Sequence, residues 1–106
     1  MGWSMIRDPR TIPPGGKSTF TLEIEDSGKK LSDIEMTFEG DPKDGGSMDP
    51  EKLKTDVAGC AKAIFTASQS VNKDLDVLVR AKWKMAGQDQ ECAMIVEVRP
   101  NLAKTK

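Results

Sequence analysis

The stretch that decides the fold runs from Leu75 to Arg99 and reads LDVLVRAKWKMAGQDQECAMIVEVR. Apolar side chains occupy every second position from Leu75 to Met85, and again from Cys92 to Val98. A period of two indicates a strand with one face on a core. Because residues 86–90 form a glycine-containing turn, the two runs predict a β-hairpin.

The alternation also divides the side chains of this hairpin between two faces. Trp83, Cys92 and Met94 are predicted to point into the core. Leu78 and Ile95 fall on the outer face, where they make an apolar pair among charged neighbours. The outer face is therefore the first surface to consider for an interaction.

Two shorter alternating runs precede the hairpin. Phe20, Leu22 and Ile24 alternate with threonine and glutamate over residues 18–25, and the same pattern recurs over residues 34–39. Residues 26–30 between them have the composition of a turn. These features predict a first hairpin whose outer face is acidic.

The segment from Asp49 to Asn72 is predicted to be a helix of about six turns. Asp49 is a suitable cap, and Pro50 and Glu51 suit the first helical turn. Apolar and small residues recur along the segment at steps of three and four, namely Leu53, Val57, Cys60, Ala61, Ile64, Ser68 and Val71. This spacing indicates an amphipathic helix.

The element order predicts an α+β fold, ββαββ, in which one helix packs on one face of a four-stranded, mainly antiparallel sheet. Residues 1–17 are rich in proline and glycine and are predicted to form an N-terminal arm. Residues 18–100 are predicted to form a single domain. The polar residues 101–106 are predicted to be a C-terminal tail.

Composition excludes several classes of function. The 106 residues include no histidine, which removes histidine-based nucleophile systems and histidine-containing metal sites. Cys60 and Cys92 match no metal or redox spacing and are expected to be reduced thiols of the core. We therefore expect no enzyme, no cofactor and no bound metal. The chain has no apolar run long enough for a membrane span, and its start has no secretion signal, so the expected location is cytoplasmic.

An interaction role remains. The formal net charge of −1 gives no global attraction to nucleic acid. We predict a non-enzymatic module that binds an unidentified protein partner or forms a homo-oligomer, most simply a dimer. The predicted contact residues are Leu78, Arg80, Lys82 and Ile95 on the outer face and Trp3 on the arm. The alternative is a nucleic-acid-binding accessory that uses the basic stripe of Arg80, Lys82 and Lys84, although Trp83 points away from that stripe.

The layout of residues 53–98 resembles small accessory α+β modules of bacterial defence and phage conflict systems. The resemblance rests on Leu53, Gly59, Ala61 and Ala63, on Val71-Asn72, and on the run Val77-Leu78-Val79-Arg80-Ala81 before a glycine-containing turn. It implies a protein-binding or sensing role in an immune or counter-immune setting, for a phage-encoded or defence-associated protein. The resemblance carries no functional residue over to this chain.

Overall fold

The computed structural model describes residues 2–85 and 87–101. These residues include ten strands and a turn of 3-10 helix, Lys43–Gly45. In chain order the strands are β1 Gly2–Asp8, β2 Thr11–Ile12, β3 Lys17–Asp26, β4 Lys29–Lys30, β5 Glu35–Asp41, β6 Gly46–Asp49, β7 Lys52–Lys54, β8 Cys60–Ala67, β9 Leu75–Met85 and β10 Gln88–Val98.

The strands lie in two sheets. Sheet A has the order β1-β3-β8-β6, and β4 also pairs with β3. Sheet B has the order β2-β10-β9-β5-β7. Neighbouring strands are antiparallel, except that β2 is parallel to β10.

Alternation along the strands builds one core between the sheets. In β3, for example, Phe20, Leu22 and Ile24 are fully buried, whereas the threonines and glutamates between them face outward. The inner faces of the sheets meet directly, since the Sγ of Cys92 in sheet B lies 3.6 Å from the Sδ of Met5 in sheet A. Packing two such faces removes both apolar surfaces from water, so a β-sandwich needs no covering helix.

The hairpin predicted from Leu75 to Arg99 is confirmed. β9 and β10 pair along their whole length, from Leu75 opposite Val98 to Met85 opposite Gln88. Trp83 and Cys92 are buried in the core, as the alternation predicts. Ala86, in the turn between the strands, lies outside the described residues.

The predicted α+β class is wrong, because the described residues contain no α-helix. The segment predicted to be a helix begins at the last residue of β6 and holds β7, a turn and β8 instead. In β8 the buried residues are Ala61, Ala63, Phe65 and Ala67, a period of two. Three of these four side chains are alanines, which carry little apolar signal and favour helices, so the helical spacing was the more visible pattern.

The predicted first hairpin is also wrong, although both of its strands exist. β3 lies in sheet A between β1 and β8, whereas β5 lies in sheet B between β9 and β7. The chain crosses from one sheet to the other between them. The alternating runs give each strand a buried face, but they do not specify which strand becomes its neighbour.

The first segment of the chain is part of the sandwich. Residues 2–8, assigned to an arm from the sequence, form β1 at the edge of sheet A. The buried hydroxyl of Ser18 donates a hydrogen bond of 2.6 Å to the carbonyl of Pro9, where the chain leaves sheet A. β2 then joins sheet B beside β10. The domain limits remain a prediction, and residues 102–106 of the predicted tail lie outside the described residues.

Candidate interaction surface

Leu78 and Ile95 lie directly opposite each other on β9 and β10. Both point away from the core on the outer face of sheet B, where Ile95 is 44% exposed and Leu78 is partly buried. Asp41 flanks Leu78 on β5. The pair is a small apolar area in the middle of a polar sheet face.

A network of four charged side chains adjoins this apolar pair. The Nε of Arg80 lies 3.0 Å from a carboxylate oxygen of Glu91, and its Nη1 lies 3.7 Å from Glu39. The Nζ of Lys82 lies 3.1 Å from the same oxygen of Glu39. The hydrogen bond from Lys82 lowers the pKa of the Glu39 carboxyl, and the charges of Lys82 and Arg80 act in the same direction.

The network joins acidic residues of β5 and β10 to basic residues of β9. Glu39 pairs with Arg80 and Lys82 within the sheet. Because each charge has a neighbour of opposite sign, this part of the face carries little net charge.

The three cations of the basic stripe are accordingly not free to bind an anionic ligand. Lys84, its third member, lies 3.7 Å from a carboxylate oxygen of Asp89. All three cations of the stripe therefore have a carboxylate within 4 Å. A phosphate backbone would have to displace these carboxylates, so the geometry does not favour the nucleic-acid alternative.

Four of the five predicted contact residues lie together, and the fifth does not. Leu78, Arg80, Lys82 and Ile95 share the outer face of sheet B. Trp3 lies on β1 in sheet A, opposite Ile24, and is 48% exposed. Trp3 therefore belongs to a separate surface.

Three exposed apolar residues were not among the predicted contact residues. Ile6 and Ile64, on the outer face of sheet A, are 63% and 39% exposed, and Val57 in the turn before β8 is 92% exposed. Ile64 and Val57 had been assigned to the buried side of the predicted helix. A period-two interpretation of residues 60–67 would have placed Ile64 outside.

The thiols offer little nucleophilic chemistry. Cys60 lies on the outer side of β8 and is partly buried, contrary to its predicted inward position. Burial raises the pKa of Cys60, and the nearby charges of Asp56 and Glu23 raise it further. Burial, with a contribution from Glu91, raises the pKa of Cys92 to about 11. Thiolate, the reactive form, is therefore scarce at neutral pH.

Within residues 2–85 and 87–101, no group of three His, Cys, Asp or Glu side chains is arranged to hold a metal ion. The same part of the chain contains no helix of the length and apolarity needed to cross a membrane.

The fold is an immunoglobulin-like β-sandwich, because it packs two mainly antiparallel sheets against each other. The chain begins in sheet A as β1 and then crosses to sheet B, where β2 runs parallel to the last strand, β10. Comparison with solved structures agrees. A C-terminal fragment of intimin, solved in complex with the intimin-binding domain of the translocated intimin receptor, is 25% identical with a TM-score of 0.72. The alignment covers 90% of this chain and 32% of that one.

Two further structures have the same fold. The D0-D1 domain of intimin is 24% identical, with a TM-score of 0.72 over 91% of this chain and 46% of that one. The Yersinia pseudotuberculosis adhesin InvE is 13% identical, with a TM-score of 0.65 over 88% of this chain and 31% of that one. The chain thus spans less than half the length of these structures. Neither a protein-family model nor a curated protein matches the sequence.

These findings correct the resemblance drawn from residues 53–98. The structural neighbours are β-sandwich domains of adhesin type and not α+β modules of defence systems. The residues that carried the resemblance lie in β7, β8, β9 and the connections between them. Nothing in the fold or in its neighbours supports a phage or defence role.

Proposed function

We propose that this chain is a non-enzymatic protein-binding domain whose contact surface is the outer face of sheet B. The observation that carries the proposal is the apolar pair of Leu78 and Ile95 beside the charged network of Arg80, Lys82, Glu39 and Glu91. An apolar centre with an ordered polar surround is the usual anatomy of a protein interface.

The similarity to intimin supports the class of partner. A fragment with the same fold and 25% identity was solved in complex with a protein domain. By analogy, the ligand of this chain is a folded protein. The predicted cytoplasmic location and the predicted dimer through this sheet face both remain predictions.

The length of its two central strands suits the surface to this role. β9 and β10 are the longest strands of the described residues, with 11 residues each, and they pair along their full length. The ion pairs fix long side chains before a partner arrives, which lowers the entropy cost of ordering them on binding. We expect Ile95 to contribute most, because it is the more exposed member of the apolar pair.

The test is a capture experiment with a matched control on the opposite sheet. The immobilised chain, its Ile95→Lys variant and its Ile64→Lys variant are exposed to an extract of the source cells, and retained proteins are identified by mass spectrometry. Ile64 is 39% exposed in mid-strand, close to the 44% of Ile95. The two variants therefore place the same charge at similar positions on opposite faces.

We expect a protein that wild type and Ile64→Lys retain and that Ile95→Lys loses. Measured again with the purified partner, Ile95→Lys should weaken binding by about tenfold or more, the effect of placing a charge in an apolar contact. Equal retention by all three proteins, or retention of nothing by wild type, would contradict the proposal.

A further inference from the structure

The edges of the two sheets are protected to different degrees. Among the described residues, β1 and β6 are the outer strands of sheet A, and β2 and β7 are those of sheet B. β2 has only two residues, and Pro13 and Pro14 follow it. β6 has four residues, and Pro50 follows it. β7 has lysine at two of its three positions. Shortness, lysine and proline are the usual means by which a sheet edge avoids pairing with another chain.

β1 is followed by Pro9, as β6 is by Pro50, but it is longer than the other outer strands. It has seven residues in regular pairing with β3, from Gly2 opposite Glu25 to Asp8 opposite Thr19. No lysine or proline occurs within it. In the part of the chain that the structure describes, it is therefore the one long outer strand with neither lysine nor proline along its length.

The hydrogen-bonding pattern fixes which backbone groups face this edge. The N–H of Ile24 donates to the carbonyl of Gly59, and the carbonyl of Ile24 accepts from Leu31, both on the side of β3 away from β1. Alternate residues of β3, such as Glu23 and Glu25, therefore bond to β1. It follows that the N–H and C=O groups of Trp3, Met5 and Arg7 point to the open edge.

The side chains of β1 are complementary to a second β1 in the antiparallel direction. When two copies meet about a two-fold axis at Met5, Trp3 faces Arg7 of the second copy, and Ser4 faces Ile6. Trp3 is 48% exposed, and the Nε of Arg7 is buried with no hydrogen-bond partner among the described residues. A guanidinium beside an indole face is favourable. The parallel arrangement would instead place Arg7 against Arg7.

We propose that β1 is a homodimerisation edge, at which two copies pair antiparallel about Met5 and join their A sheets into one. The three residue pairs that face the edge would each exchange two backbone hydrogen bonds, which gives about six across the interface. The contact is isologous, so it closes on itself and does not propagate into a fibre. It is independent of the outer face of sheet B.

Sedimentation velocity of the full chain over a range of concentrations tests the dimer. Arg7→Pro removes an outward N–H without removing a bond to β3, so it is expected to raise the dimer dissociation constant by about tenfold or more. Ile95→Lys serves as the control and should leave the dimer unchanged. A chain that is monomeric at every concentration, or a dimer dissolved by Ile95→Lys and not by Arg7→Pro, would overturn the proposal.

Cross-linking tests the register and does not depend on the proline variant folding. In a Cys60→Ser background, the double variant Ser4→Cys/Ile6→Cys should form a covalent dimer on mild oxidation. In the proposed register the thiol at position 4 of one copy faces the thiol at position 6 of the second copy. Each single variant should remain uncross-linked under the same conditions. A disulfide dimer from either single variant would show a different register and overturn the pairing about Met5.

Discussion

Gly59 closes the turn before β8 with a φ of +76°, and a Cβ on it would lie 2.6 Å from the carbonyl oxygen of Ile24. Gly28 has a similar φ of +82° but has nothing within 4 Å of its Cβ position. The two glycines share the conformational requirement and differ in the available space. Position 59 therefore needs glycine for two reasons, and position 28 for one.

Alanine substitution should separate these two reasons. Gly28→Ala is expected to lower the free energy of unfolding by about 1 kcal/mol, the cost of a left-handed conformation. Gly59→Ala should lower it by about 2 kcal/mol more, because the backbone of β3 must move away from the new methyl group. Urea denaturation of both variants measures the difference. Equal losses would mean that the contact with Ile24 relaxes freely.

The direction of individual side chains could be predicted wherever the alternation was strong. Trp83 and Cys92 are buried, and Ile95 is exposed, as the sequence indicates. Cys60 and Ile64 were placed wrongly because both were read on a helical period. Their neighbours Ala61 and Ala63 are too small to make the period of two conspicuous.

At the scale of elements, Thr55 joins two connections of the sandwich. Its buried hydroxyl donates to the carbonyl of Leu31 at 2.6 Å and accepts from the N–H of Ile34 at 3.0 Å. Its backbone also exchanges hydrogen bonds with Asp33 and Ile34. One side chain thus ties the segment before β5 to the segment after β7.

Thr55→Val keeps the shape of this side chain and removes the hydroxyl. We expect a loss of about 1 kcal/mol or more in the free energy of unfolding, since two partly buried backbone groups lose their partner. Thr55→Ser keeps the hydroxyl and should cost less. Thermal and urea denaturation of the two variants tests this order, and a serine variant less stable than the valine variant would refute it.

The elements themselves were only partly predictable. The hairpin of β9 and β10 has strong alternation and a short turn, so pattern and proximity specify the same pairing. β3 and β5 were found as strands but were paired wrongly, because their true neighbours, β8 and β9, come later in the chain. Residues 46–54 hold two strands of four and three residues, which are too short to show a period.

For the molecule as a whole, the sequence predicted one sheet covered by a helix, and the structure has two sheets covering each other. The error at β8 decided this outcome, since a helix there leaves too few strands for a second sheet. The prediction of the candidate site was less affected by this error. The outer face of β9 and β10 depends only on the hairpin, and the charged partner Glu39 came from the strand that was correctly found.

The parallel pairing of β2 with β10 gives the domain a mechanical character. β2 is parallel to β10, and Met5 of β1 lies against Cys92 of β10, so β1, β2 and β10 run in one direction. The start of β1 and the end of β10 therefore lie at opposite ends of these strands. Tension applied at these two points would slide β1 along β3 and β2 along β10. All hydrogen bonds of each pair would then bear load together, which is shear and not unzipping.

Single-molecule pulling measures this directly. Handles attached at residues 2 and 99 should require a larger rupture force than handles attached at residues 2 and 88. Gly2 and Gln88 begin strands that run in the same direction from the same end, so tension between them would peel each strand from its neighbour one hydrogen bond at a time. Equal forces in the two geometries would contradict the shear account. A domain that binds through a sheet face while held at opposite ends would thus keep its contact surface under load.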